Sequence, residues 1–208
     1  MDIDRVRAQV ERVLSPKRFC HTLGVVKTAD LLAQRWGVDS TKAELSALLH
    51  DYARELSDQE LLQRSNDFGI LKLQIEKCNP DLLHGPVAAE LARRDFGIAD
   101  EDVLNAICYH TTGRAGMSSL EKIIYLADYI EPGRSFPGLV GVRSLALCDL
   151  DQACLLALRR TSIHVLRRGR TLHPKTVEAY NDLLLHRAFG EARSSQLGHK
   201  QDGTREDD

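Results

Sequence analysis

The sequence predicts an all-α fold. Apolar residues recur at three- and four-residue spacing through successive segments, and helix-start and helix-stop residues separate those segments. No stretch alternates apolar and polar residues over strand length, and no internal repeat is present.

In chain order, Ile3, Val6, Val10 and Val13 share one helical face, and Ser15-Pro16 stops that helix. A second helix runs from about Lys17 to Trp36, with Leu23, Val26, Ala29 and Ala33 inward, His21 in its first turns and Gly37 as its stop. Thr41 with Glu44 gives a capping-box pattern to a third, which carries the run LSALLHD at 45–51. Ser57 with Glu60 repeats that pattern for a short helix through Arg64. Residues 65–83, punctuated by Gly69, Asn79 and Pro80, read as loop with a short helix.

His84-Gly85-Pro86 opens the next helix, which runs to Phe96 and ends at Gly97. Asp100 caps another, whose Val103, Ile107 and Cys108 lead to His110. Ser118 with Glu121 starts KIIYLADYI, which Pro132-Gly133 ends. A loop through Gly141 precedes a long helix from about Asp149 to Arg168, and Pro174 begins a last one to about Phe189. Residues 1–189 are expected to form a single domain. Residues 190–208, polar and nearly free of large apolar side chains, are expected to form a disordered tail.

With 208 residues, 43% hydrophobic and 28% charged, the chain has enough length for a sizeable core. Its net charge of -2 argues against a nucleic-acid carrier working by bulk positive charge. No apolar run approaches the roughly 20 residues of a membrane span, and the amino terminus lacks a signal-peptide apolar region. The five cysteines are scattered without a CxxC, as small buried hydrophobes in a reducing cytoplasm would be. A cytoplasmic location is expected.

A histidine and a carboxylate at the buried end of an apolar helix are costly unless compensated, and a metal ion is the usual compensation. His50 and Asp51 stand at such an end. Consecutive helical residues point about 100° apart, so one can hold an ion while its neighbour reaches another. His21, His84, His110 and Asp128 also lie near helix ends or inside apolar helices. Asp128 is flanked by Ile123, Ile124, Leu126, Ala127 and Ile130, where an unpaired carboxylate would be expensive. For any one of them a backbone-bonded core histidine or a partly exposed aspartate is an adequate account. Six together are too many ligands for one catalytic ion and about right for two, with a carboxylate bridging.

The order H…HD…H…H…D resembles the HD-domain metal phosphohydrolases, in which these residues ligate metal on a helical bundle. The stretches HTLGVV, ALLHDYAREL, LLHGPVAAEL, AICYHTTGRAGMSSLEKIIYLADYIEPGR and TLHPKTVEAYN resemble the YqeK family, over residues 13–184. Members of that family hydrolyse diadenosine tetraphosphate symmetrically to two ADP. The resemblance implies an HD-domain helical bundle with a two-iron site, in which His21, His50, Asp51 and Asp128 hold one ion. Asp51 would bridge to a second ion completed by His84 and His110, making His50 and Asp51 central to catalysis. Histidine and carboxylate donors suit manganese and cobalt as well. A homodimer is the implied assembly. Cys20, beside His21, stands where a larger side chain is expected.

A hydroxide shared by two such ions would attack an internal phosphorus in line, with a nucleoside diphosphate leaving. The remaining phosphates need donors. Arg18 lies one turn before His21, Thr111, Thr112 and Gly113 follow His110, and Lys122 and Arg134 flank the helix of Asp128. His164 and His173 match no ligand position, and His173 reads as structural. Three other functions fit less of this pattern: a different HD nucleotide phosphohydrolase, such as a nucleotidase or deoxynucleotide triphosphohydrolase, a non-catalytic nucleotide sensor, and a purely structural bundle.

Overall fold

Asp39 caps the helix on which the fold is centred, accepting from the backbone N–H groups of Thr41 and Lys42. That helix, α3 (Ser40–Leu49), buries Ala43 and every residue from Leu45 to Leu49, so it is apolar almost all round and has to lie inside. The expected Thr41–Glu44 capping box is therefore corrected. Asp39 sits just outside the helix, at φ -59° and ψ 115°, and takes the role, and Glu44 instead accepts from Arg7 at 2.6 Å. The computed structural model describes the backbone of residues 2–71 and 73–198, and side chains within that span up to 186. Among the described residues all regular structure is helical.

Before α3 come α1 (Ile3–Val13) and α2 (Pro16–Trp36). Pro16 sits at the first turn of α2, and Gly37 ends it at φ 67°, a left-handed conformation that costs glycine little. The inner face of α2 is Thr22, Val25, Ala29, Leu32 and Ala33. Ala29 and Ala33 are inward as read from sequence, and Val26 packs partly buried against the core. Leu23, expected inward, is instead half-buried and lines a cavity.

After α3 the chain turns into α4 (Asp58–Asp67), whose Ser57–Glu60 capping box forms as expected, and then into α5 (Gln74–Cys78) and a 3-10 turn (Pro80–Leu83). The helices α6 (His84–Phe96) and α7 (Glu101–Tyr109) follow, ending and starting at Gly97 and Asp100 as read from sequence. The second capping box, Ser118–Glu121, starts α8 (Ser119–Ile130), which buries Leu120, Ile123, Ile124, Leu126, Ala127 and Ile130. Helices α2, α3, α6, α7 and α8 pack around one another. Each fully buried leucine among them, such as Leu48, Leu49 and Leu126, is worth about 2 kcal/mol.

The segment expected as loop through Gly141 contains α9 (Leu139–Ala146). Leu139, Val142 and Ala146 are buried at helical spacing, too short a run to stand out in sequence. Helix α10 (Leu150–Arg167) packs on α8, α9 and the last helix, α11 (Pro174–Gly198). Helix α11 continues past Phe189. The tail expected over 190–208 lies beyond the described side chains, and 199–208 fall outside the described residues. No described helix is long and apolar enough to cross a membrane.

Candidate metal centre

Three of the six candidate residues sit at helix junctions, and each is oriented the same way. His50 follows the last turn of α3, His84 joins the 3-10 turn to α6, and His110 follows α7. In each ring Nδ1 faces the carbonyl three residues back: Ala47 at 2.7 Å, Asp81 at 2.5 Å and Ile107 at 2.8 Å. A carbonyl only accepts, so Nδ1 carries the proton and Nε2 of the neutral ring is a bare lone pair.

Those lone pairs converge. His84 Nε2 and His110 Nε2 lie 3.0 Å apart, and both approach Asp51 Oδ1, at 3.4 and 3.8 Å. His50 Nε2 is 3.6 Å from Asp51 Oδ2, fully buried and without a hydrogen-bond partner. The single Thr111 hydroxyl proton serves only one of two ring nitrogens at 3.2 and 3.0 Å. Acceptors facing acceptors in a buried site repel unless a cation lies among them, so this donor set fits a divalent metal ion. The ligand atoms of His21, His50 and Asp51 all lie within 4.8 Å of one another, as do those of Asp51, His84 and His110. Asp51 belongs to both trios.

His21 and Asp128 are less deeply buried. His21 Nε2 faces Asp128 Oδ1 at 3.0 Å, and its Nδ1 faces Glu131 Oε1 at 3.2 Å. Asp128 also accepts from Arg134 Nη2 at 2.7 Å, and its ligand atoms complete neither trio. Burial works against the charge on each of these groups, and the neighbours overcome it. Asp128 and Glu131 raise the imidazole pKa of His21, while His21, His50 and Arg134 hold Asp128 far below the ordinary carboxylate range. Burial alone would raise Asp51, but positive charge on the surrounding imidazoles of His50, His84 and His110, when they are protonated, holds it well below its usual value. His110 is pushed down to about 3 by burial and by the neighbouring His84 and His50, which keeps its lone pair free.

The centre opens into a cavity of about 1100 Å³. It is lined by Arg18, His21, Leu23, Gly24 and Lys27 of α2, by Asp51, His84, His110 and Thr111 of the centre, and by Asp128, Glu131, Pro132, Gly133 and Arg134. Arg18 reaches Asp51 Oδ2 at 3.5 Å and Glu55 Oε1 at 3.3 Å. The structure thus brings Arg18, Thr111 and Arg134 to the cavity. Thr112, Gly113 and Lys122 do not line it. Thr112 is buried and donates to the carbonyl of Gly113, and a Cβ on Gly113 would meet Ala179 at 3.1 Å. Lys122 pairs with Asp151 at 2.7 Å. Gly113 and Lys122 lie instead on the α10–α11 side, against Ala179 and Asp151.

Some contributors went unread in the sequence. Arg54, paired with Asp81, and Glu55 line the cavity. Glu131 is buried behind His21, and Gly24 makes room for it: a Cβ there would lie 2.6 Å from Glu131 Oε2. The signals were an acidic residue just before the helix-ending Pro132 and a glycine three residues after His21, on the same helical side. His173 is buried beside Glu76, 3.6 Å away, and takes no part in the cavity lining.

An all-helical bundle with a histidine–aspartate pair at this junction defines an HD-domain protein, and the HD domain family model matches residues 18–133. The chain is 43% identical over 187 residues to the symmetrical bis(5'-nucleosyl)-tetraphosphatase of Bacillus subtilis (strain 168), covering 88% of this chain and 98% of that one. It is 45% identical over 174 residues to the protein of the same name from Halalkalibacterium halodurans, covering 83% and 91%. A crystal structure of a protein from Clostridium acetobutylicum, described as a predicted HD superfamily hydrolase involved in NAD metabolism, superposes with a TM-score of 0.87 at 41% identity, over 89% of this chain and 98% of that one. The chain belongs to the HD-domain symmetrical bis(5'-nucleosyl)-tetraphosphatase family.

Proposed function

We propose that this protein hydrolyses diadenosine tetraphosphate symmetrically, one water and one dinucleotide giving two ADP. The observation that carries the reading is Asp51, common to two trios of metal-competent ligands at the floor of a cavity rimmed by arginines. His21, His50, Asp51 and Asp128 would hold one divalent ion and Asp51, His84 and His110 the other. Two ions so held supply charge neutralisation at phosphoryl oxygens and a water acidic enough to ionise near neutral pH.

The chain's own residues do the rest. The backbone-bonded Nδ1 groups keep three imidazoles in the tautomer that offers Nε2 inward. Glu131 orients His21 through the ring's other nitrogen. Arg18 and Arg134, each held by carboxylates at the cavity wall, are placed to take phosphate oxygens as charge-assisted donors. A departing ADP is a stable anion, so no strong general acid is required. Iron is the proposed metal, with manganese or cobalt chemically equivalent in donor preference. The proposed setting is a cytoplasmic homodimer acting on small molecules and not on nucleic acid, with residues 1–189 as one domain and 190–208 as a polar tail.

The test is a product assay. Protein purified without chelator and reloaded with iron or manganese is incubated with diadenosine tetraphosphate beside a His50→Ala Asp51→Ala control. ADP as sole product, absent from the control, is the expected result. AMP with ATP would place attack at a different phosphorus. Faster turnover of a nucleoside monophosphate would favour another HD phosphohydrolase. Tight nucleotide binding without product would make the protein a sensor.

A further inference from the structure

Just beyond the segment matched by the HD family, an arginine of α9 reaches back to the centre's rim. Arg143 Nε donates to the Ile130 carbonyl at 2.8 Å, and its Nη2 donates to the carbonyls of Glu131 at 2.7 Å and Arg134 at 3.1 Å. These carbonyls belong to the last residue of α8 and to the turn after it, where the helix leaves its final acceptors without intrahelical donors. One planar guanidinium ties all three. It is half-buried and does not line the cavity.

The turn it ties carries two side chains that face the centre. Glu131 accepts from His21 Nδ1 and from Gly133 N–H, at 3.2 and 2.5 Å. Arg134 donates to the carboxylate and to the main-chain carbonyl of Asp128. Both depend on the backbone turning back at Pro132-Gly133, because neither is on a helix that would fix its direction. A second arginine, Arg160, donates to Pro137 O at 2.8 Å, but it holds the far end of the loop.

We propose that Arg143 is a positioning residue for the metal centre: by tying Ile130, Glu131 and Arg134 it aims Glu131 at His21 and Arg134 at Asp128. It acts through those residues and touches neither ligand atoms nor substrate. The inference rests on the metal-centre reading above but not on which nucleotide is cleaved.

The experiment titrates manganese into chelator-stripped full-length protein and measures affinity by calorimetry, with thermal unfolding recorded alongside. Outer residues that orient metal ligands typically contribute 10–100-fold in affinity. Arg143→Ala is expected to weaken manganese binding about 10-fold or more. Arg143→Lys, which keeps the charge but cannot span three carbonyls, should recover part of it. In a Glu131→Ala Arg134→Ala background, Arg143→Ala should add little, since both residues it acts through are already gone. Arg160→Ala should leave affinity within about 2-fold. If Arg143→Ala lowers Tm but leaves affinity unchanged, or if its loss multiplies with that of the Glu131→Ala Arg134→Ala background, the residue is merely structural and the proposal is overturned. Equal losses at Arg143 and Arg160 would overturn it too. If Arg143→Ala does not fold, Arg143→Lys carries the test alone: affinity equal to wild type overturns the proposal, and weakened affinity without matching loss of Tm supports it. Absence of diadenosine tetraphosphate hydrolysis by the wild type would defeat the proposed activity without touching this result.

Discussion

His84 Nε2 stands 3.0 Å from His110 Nε2, and both rings have already committed their Nδ1 proton to a backbone carbonyl. Two lone pairs at hydrogen-bond distance share one hydroxyl donor between them. Metal binding relieves that repulsion only in the folded state, so it should stabilise the fold. With manganese at 100 times its Kd, linkage predicts about 2.7 kcal/mol, or roughly 5–10 °C in Tm for a chain of this size. Differential scanning fluorimetry of stripped protein, with and without manganese, checks this. The His50→Ala Asp51→Ala protein should show no shift.

The depressed His110 gives the stripped protein a pH signature. Its contribution to stability is complete above pH 6.5 and is lost progressively as pH falls towards its folded value of about 3, because the unfolded chain takes up a proton that the native site refuses. Over that window the slope from this group is about 1.4 kcal/mol per pH unit. His173, also lowered by burial despite Glu76, adds to it in the same sense. His21 runs the other way: its raised pKa stabilises below pH 6.5, a contribution lost as pH rises through the folded value. Nitrogen-detected NMR of the rings should therefore show His21 protonated at pH 5 while His110 is still neutral. Protonation of His110 near pH 6 would contradict the burial argument.

Asp51→Ala should abolish turnover, by at least about 1000-fold, and remove at least one ion from the protein, because both trios use it. Elemental analysis beside the product assay tests both halves. An active Asp51→Ala enzyme holding two ions would remove the carboxylate from the centre of the mechanism.

Arg134→Ala separates phosphate binding from metal binding. Its guanidinium now neutralises Asp128 at 2.7 Å and faces the cavity. The expected outcome is turnover lower by about 100-fold or more with metal content unchanged. Loss of metal instead would make it a brace for Asp128.

Gly85→Ala probes the helix contact beneath the centre. A Cβ there would lie 2.7 Å from the Cys108 carbonyl and 3.3 Å from His110 Nδ1. A carbonyl on a buried helix cannot yield easily, so α6 and α7 must separate, at about 1–3 kcal/mol. Urea unfolding should show that loss, and metal affinity should fall with it as His84 draws away from His110.

The helices carrying the candidate ligands were legible in sequence because caps and stops are local: Ser57, Ser118, Asp100, Gly37 and Gly97 do what their residue types favour. The HD junction was legible because charge at the end of an apolar run needs a reason. What escaped was set by tertiary contact. Leu23 lines a cavity that no periodicity reveals, and Asp39 caps α3 from the position before it, while Thr41 lies inside the helix. Gly113 and Lys122 follow the motif in sequence but not in space. Arg143 looked like any loop arginine, because its partners are main-chain oxygens that every residue supplies.

The carbonyls that hold the three imidazoles belong to Ala47, Asp81 and Ile107. Their side chains contribute nothing to that tether. Ala47 and Ile107 answer to the packing around them, and Asp81 to its partner Arg54. Substitutions at these positions that respect volume and turn geometry are therefore invisible to the tautomers of the centre. The proton arrangement is set by the backbone, so it withstands any substitution beneath the histidines that keeps the local packing and turn.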